Sequence, residues 1–143
     1  MTQGPTHGLT FGEAFSHITV GSSDMDRSMR FYDAVLAPLG LVRQKTFRAA
    51  SGYGPKDFAG INLPFWILRP LDRNAASAGN GVTVAFTVPA RAAVDAFHAA
   101  ALSHGGTDEG APGLRPHYHA DYYGAYVRDP EGNKICAVCH AKV

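Results

Sequence analysis

Two stretches of this chain echo one another at a constant spacing. Phe31, Tyr32, Leu36 and Gly40 are followed 66 positions later by Phe97, His98, Leu102 and Gly106, and His17 by Thr83 in the same register. An offset held across both a strand and a helix marks a duplicated supersecondary unit. No other feature restricts the fold as much, because such a unit buries its apolar face only by packing against its own copy. Each copy reads as one strand, one amphipathic helix and two or three further strands.

Local patterns supply the elements. Ser16 to Gly21 alternates and is β-branched, a strand signal. Asp24 is placed to cap a helix whose apolar residues, Met25, Met29, Tyr32, Leu36 and Leu39, form one stripe ending at Gly40. Leu41 to Phe47, Ala49 to Tyr53 and Phe58 to Leu68 read as strands, broken at Gly54-Pro55 and Leu63-Pro64. After a polar stretch the pattern restarts with a strand over Val82 to Val88. An Ala-rich helix follows, with Val94, Phe97, Ala101 and Leu102 facing inward, and Gly105-Gly106 stops it. Gly110 to Ala120, punctuated by Pro and Gly, reads as a loop. Tyr122 to Arg128 and Asn133 to His140 form a closing hairpin across Asp129–Asn133. The reading is α+β: a lead-in over 1–15, expected to be flexible, then one domain over 16–143, with module one at 16–70 and module two at 81–140.

Composition narrows the partners. At 143 residues a single domain is expected. Thirteen Lys+Arg against twelve Asp+Glu leave +1, so no basic stripe is expected to hold a nucleic acid backbone. No apolar run reaches the roughly 20 residues of a membrane span. The opening MTQGPTHGLTFGEAF lacks an export pattern, which makes the cytoplasm the expected compartment. Cys136-Ala-Val-Cys139-His140 formally matches a c-type haem attachment signature. On a strand, however, residues three apart point to opposite faces, which argues against haem attachment and against a paired dithiol.

The chemistry-bearing residues gather late in the chain. His17 opens a strand, and His117 and His119 flank Tyr118, where an extended backbone would turn both imidazoles to one side. Tyr118, Tyr122, Tyr126 and Trp66 offer aromatic walls, and Arg115, His117 and His119 offer donors. An apolar pocket with a few convergent polar groups is the usual small-molecule site.

A His opening the first strand, then Asp24, Ser28, Phe31 and Tyr32 in a D-x-x-x-S-x-x-F-Y helix, a repeat, and D-P-E-G-N in the last hairpin together resemble the vicinal oxygen chelate superfamily. That group holds the glyoxalases, bleomycin-resistance proteins and extradiol dioxygenases. The resemblance spans Ser16 to His140 and implies paired βαβββ modules around an open-barrel-like cleft, commonly in a homodimer. It also implies a metal held from three positions, which fall on His17, Thr83 and Cys136. Thr83 stands where the pattern has a His, and Cys136 where it has a Glu. Such a set is expected to hold no metal, or Zn or Ni weakly. Two readings follow: an enzyme with an altered or lost metal triad, of lyase or dioxygenase type, using His17, His119 and Cys136, or a non-catalytic protein that binds and sequesters a small molecule.

Overall fold

The computed structural model describes residues 11–60 and 62–143. Each copy of the repeat makes its own four-stranded sheet. The first runs β1 (Ile18–Gly21), α2 (Met25–Leu36), a 3-10 turn (Ala37–Leu39), β2 (Leu41–Thr46), β3 (Ala50–Pro55) and β4 (Phe65–Leu68). The second runs β5 (Val84–Thr87), α3 (Arg91–Ser103), β6 (Thr107–Leu114), β7 (Tyr123–Arg128) and β8 (Lys134–Cys139). Strand orders are β1-β4-β3-β2 and β5-β8-β7-β6, with the outer pairs β1/β4 and β5/β8 parallel and the rest antiparallel. No ladder joins the two sheets, so they do not close into a barrel. Of the N-terminal lead-in, residues 1–10 lie outside the described residues, and Phe11–Ala14 (α1) make one helical turn. No described helix is long and apolar enough to cross a membrane.

The repeat is carried into three dimensions element by element. β1, α2 and β2 begin 66 residues before β5, α3 and β6. The last strands slip: Ile18 pairs with Phe65 and Val84 with Ile135, an offset of 70. The extra residues lie in the longer β6–β7 arm.

Helix α2 starts where Asp24 accepts a hydrogen bond from the Arg27 N–H at 3.0 Å. Its chain leaves the following 3-10 turn through Gly40 at φ 79°, a left-handed conformation that favours glycine. Phe31, Tyr32, Val35 and Leu36 from α2 meet Val94, Phe97 and Ala101 from α3 in one core with Phe65, Ile67, Ile135 and Ala137. Leu102, expected to face inward, is 45% exposed, because the buried stripe of α3 follows Val94, Phe97 and Ala101.

Two strand assignments are corrected. Gly110 to Leu114, expected to open a loop, instead complete the strand Thr107–Leu114. β6 is an edge strand paired only to β7, and its ladder is interrupted between Asp108 and Gly110 and between Gly110 and Gly113. An edge accommodates the missing N–H of Pro112 and the bulges. Conversely, Phe58–Leu68 contributes only the four residues Phe65–Leu68, since Pro64 follows a run of turns.

The Asp129–Asn133 turn clamps the modules together. Asp129 is buried, and its Oδ1 accepts the N–H groups of Glu131 (2.9 Å) and Asn133 (2.8 Å). Its Oδ2 accepts the Tyr32 hydroxyl at 2.6 Å and the Asn133 amide at 2.9 Å. Asn133 Nδ2 also donates to the Gly21 carbonyl at 3.0 Å, and Arg27 reaches Glu131 at 2.7 Å. Burial first, then Asp129, raises the Tyr32 phenol well above its ordinary value, so it stays a donor. The most specific sequence signature of the chain is thus a structural bracket.

Candidate functional site

In both sheets the residues facing away from the helices are the ones free to do chemistry. On β4, Phe65 and Ile67 enter the core while Trp66 and Leu68 face out; on β8, Ile135, Ala137 and Cys139 enter it while Cys136 faces the other side. The ladders set Trp66 beside Thr19 and Cys136 beside Ala85, so Trp66 and Cys136 hold equivalent places. Cys136 and Cys139 are both free, buried and on opposite faces of β8, as a strand requires.

The module-one face is paved by Trp66. Its ring lies over Gly52, where a Cβ would come within 2.8 Å of it, and Phe47 stacks on it nearly parallel at 6.5 Å. Trp66 Nε1 donates to the Leu63 carbonyl at 3.0 Å. His17, Thr19, Asn62, Trp66 and Leu68 line a cavity of about 260 Å³. His17 is exposed rather than set in the core, and its ring pairs with Ser16 Oγ at 2.8 Å.

The module-two face is polar and aromatic. A cavity of about 480 Å³ is lined by Thr83, Ala85, Tyr118, His119, Tyr122, Tyr126, Lys134 and His140. The Tyr122 and Tyr126 hydroxyls meet at 2.6 Å, and the Tyr122 hydroxyl lies 4.0 Å from Cys136 Sγ. Arg115 and Lys134 lie 5.8 and 5.4 Å from the centroid of the Tyr126 ring. His119 Nε2 and His140 Nδ1 share a hydrogen bond of 2.8 Å, their rings stacked 5.1 Å apart.

Burial pushes the Cys136 thiol above its ordinary value, with hydrogen bonds from Tyr126 and Tyr122 offsetting only part of it. Burial is also the first cause that raises Tyr126 and Tyr122. At neutral pH the three groups are therefore a protonated cluster, with neither thiolate nor phenolate standing ready to attack a substrate.

The expected site residues divide accordingly. Thr83, Tyr118, His119, Tyr122 and Tyr126 share one cavity, Cys136 lies under its floor, and Arg115 borders it through Tyr126. His17 and Trp66 line the other cavity. His117 does not share a side with His119, because residues 116–118 make a turn in which the Tyr118 N–H bonds to the Arg115 carbonyl. His117 packs instead on the outer ring of Tyr118 at 4.3 Å. Lys134 and His140 were not singled out from sequence, although the alternation Lys134, Cys136, Val138, His140 along one strand face carries the signal.

The family's metal set does not fit these residues. Within the chain His17 and Thr83 line separate cavities. Thr83 offers a neutral hydroxyl where the pattern has an imidazole, and Cys136 a soft sulfur where it has a carboxylate. Among the described residues no three His, Cys, Asp or Glu side chains form a group that would hold a metal.

The sequence model of the Glyoxalase/Bleomycin resistance protein/Dioxygenase superfamily matches residues 14–137. The chain belongs to this superfamily. A glyoxalase/bleomycin resistance protein from Albidiferax ferrireducens T118 is similar at 39% identity and TM-score 0.76, over 88% of this chain and 98% of that one. The fosfomycin resistance protein FosX from Mesorhizobium loti (16% identity, TM-score 0.59, 87% and 90% covered) shares the fold. So does a lactoylglutathione lyase from Agrobacterium tumefaciens (18%, 0.59, 96% of each chain). No curated protein matches in sequence. This superfamily member therefore keeps the glyoxalase-like scaffold while presenting Thr83 and Cys136 at two of the positions the resemblance assigns to metal ligands.

Proposed function

We propose that this protein binds a small aromatic molecule in a cleft completed by a second copy of the chain, without the three-ligand metal that the superfamily resemblance implies. The observation that carries the reading is the hydrogen-bonded Tyr122–Tyr126–Cys136 cluster at a position the resemblance assigns to a metal ligand, walled by Tyr118 and ringed by Arg115, Lys134, His119 and His140. Aromatic rings supply area at low entropic cost, and the surrounding donors orient an acceptor on the ligand. The module-one face, with Trp66 and His17, lines a separate cavity in the single chain. A homodimer that sets it against the partner's tyrosine face makes one enclosed cleft from two open halves. Sequestration of a toxic small molecule suits such a cleft, and one similar protein carries a bleomycin-resistance description. Two free, buried thiols suit a reducing cytoplasm.

A catalytic reading is favoured by one observation: the hydrogen-bonded His119–His140 pair at the cavity wall, a geometry able to pass a proton. It is the second reading because burial holds the proton on the neighbouring Cys136 thiol and on the Tyr122 and Tyr126 hydroxyls, so no ready nucleophile stands beside the pair.

The test uses the chain's single tryptophan. An aromatic ligand bound in a cleft shared by both faces changes Trp66 emission, and Tyr122→Ala abolishes the change. Sedimentation at tens of micromolar gives a dimer. A monomer of 15.2 kDa, or ligand binding that leaves Trp66 emission unaltered, contradicts the shared cleft. Turnover of a bound ligand that is lost in His119→Ala selects the catalytic reading.

A further inference from the structure

A third cavity, of about 480 Å³, is built from two turns at the far end of the module-one sheet. One is the β2–β3 turn, closed by the Phe47 N–H on the Ala50 carbonyl at 2.8 Å, with Arg48 at its tip. The other follows β4, where the Arg73 N–H bonds to the Pro70 carbonyl at 2.9 Å. The Arg69 N–H donates to the Ala49 carbonyl at 2.9 Å and ties the turns together. Arg48, Arg69 and Arg73 thereby line a single concavity.

Two observations bear on these three arginines, all of them exposed. Among the described residues, none of the three guanidiniums has an ion-pair or hydrogen-bond partner, whereas Arg27, Arg43 and Arg128 each hold a carboxylate. The carboxylate nearest in sequence, Asp72, is engaged by the backbone and side-chain N–H groups of Asn74 at 2.9 and 3.1 Å. Second, Arg73 is the one described non-glycine residue with positive φ, at 65°. Holding an arginine in a conformation that glycine adopts freely costs free energy, and such strain concentrates at functional positions.

We infer that this cavity binds a phosphate group carried on a small organic molecule. Three guanidiniums match the charge and the several acceptor oxygens of a phosphate better than a single carboxylate does, since each planar fork donates two parallel hydrogen bonds. The rest of the wall is apolar: Leu68, Pro70 and Leu71, with Leu71 97% exposed. The organic part of the ligand lies there. Leu68 also lines the cavity that holds Trp66, so the phosphate pocket opens beside the module-one face. The inference stands on its own residues and does not require the aromatic cleft.

Calorimetric titration of the full chain at low salt, where exposed charges are least screened, tests it with inorganic phosphate, phenyl phosphate and benzoate. Phenyl phosphate binds more tightly than inorganic phosphate, and benzoate binds most weakly. Arg48→Ala/Arg69→Ala weakens phosphate binding about tenfold or more, on the scale of losing charge-assisted hydrogen bonds. Arg73→Gly, which removes the strained conformation, keeps or raises the melting temperature while weakening phosphate binding. Tyr126→Leu leaves phosphate binding intact, which separates this pocket from the aromatic cleft. Equal phosphate binding by the wild type and both arginine variants overturns the proposal. So does benzoate binding as tightly as phenyl phosphate, or absence of any phosphate binding, including absence because a second copy covers the pocket.

Discussion

The two sheets share strand order and pairing, yet their outward faces have little in common. Toward the helices the correspondence is close: Phe65 and Ile67 on β4 match Ile135 and Ala137 on β8, all buried in one core. Away from the helices, Trp66 over a bare Gly52 answers Cys136 beneath two tyrosines. The core side is held to its pattern by packing, because any change of volume there is felt by both modules. The outer side carries no such constraint, so the duplicated copies diverged there into an aromatic floor and a polar, donor-rich wall. The shared side builds the core, and the proposed recognition falls on the differing one.

Asp129→Ala breaks that division most sharply. It removes the acceptor for four donors, among them the buried Tyr32 hydroxyl, and is expected to cost about 3–5 kcal/mol by urea denaturation. A loss below about 1 kcal/mol would mean that the modules are not held through this bracket.

On the outer faces the effects are functional. Thr83→His with Cys136→Glu restores the ligand types that the resemblance implies, and the double variant is expected to gain about a hundredfold or more in divalent-metal affinity by calorimetry. Each single variant gains much less, since a chelate site needs its ligands together. No gain in a folded double variant would show that His17 does not meet these positions in the assembled protein.

Trp66→Ala sharpens the contrast from the other side. It loses the Phe47 stack and a half-buried ring, for roughly 2 kcal/mol of stability. Tyr126→Phe, giving up a hydroxyl contact on the polar face, costs about 1 kcal/mol. Were Tyr126→Phe the more damaging, the polar cluster would be a core element rather than a recognition surface.

The smallest effect is alkaline. Cys136, Tyr122 and Tyr126 have folded pKa values raised by burial, so the native state holds these protons more tightly than the unfolded chain. Their contribution is fully present below the unfolded thiol value of about 8.5 and is lost as pH rises through the folded values. Stability is therefore flat from pH 6 to 8 and falls above about 9. Cys136→Ala makes that fall shallower, and a slope identical to wild type would place the thiol's proton outside the account.

The fold was legible because duplication leaves the same apolar spacing twice. Phe31 and Phe97 alone align both helices, and Asp129–Asn133 locates the last hairpin. What escaped has physical causes. Edge strand β6 tolerates the Pro and Gly that ordinarily signal a loop, and the slip from 66 to 70 lies within the arm those residues build. The site was half legible: alternation along β8 contains Lys134 and His140 as well as Cys136, whereas His117 was lost to a turn that an extended reading of Pro116–Tyr118 cannot show. The arginine cavity is assembled by one hydrogen bond between turns some twenty residues apart, and no local pattern announces it.

The central proposal is that the cleft works without the three-ligand metal that the superfamily resemblance implies, because Thr83 and Cys136 stand at two of the ligand positions. Elemental mass spectrometry of the native protein, purified without chelator, tests it directly. The account predicts divalent metal well below one equivalent per chain, easily removed by dialysis. One tightly held metal per chain, retained through dialysis and lost in His17→Ala, would contradict it.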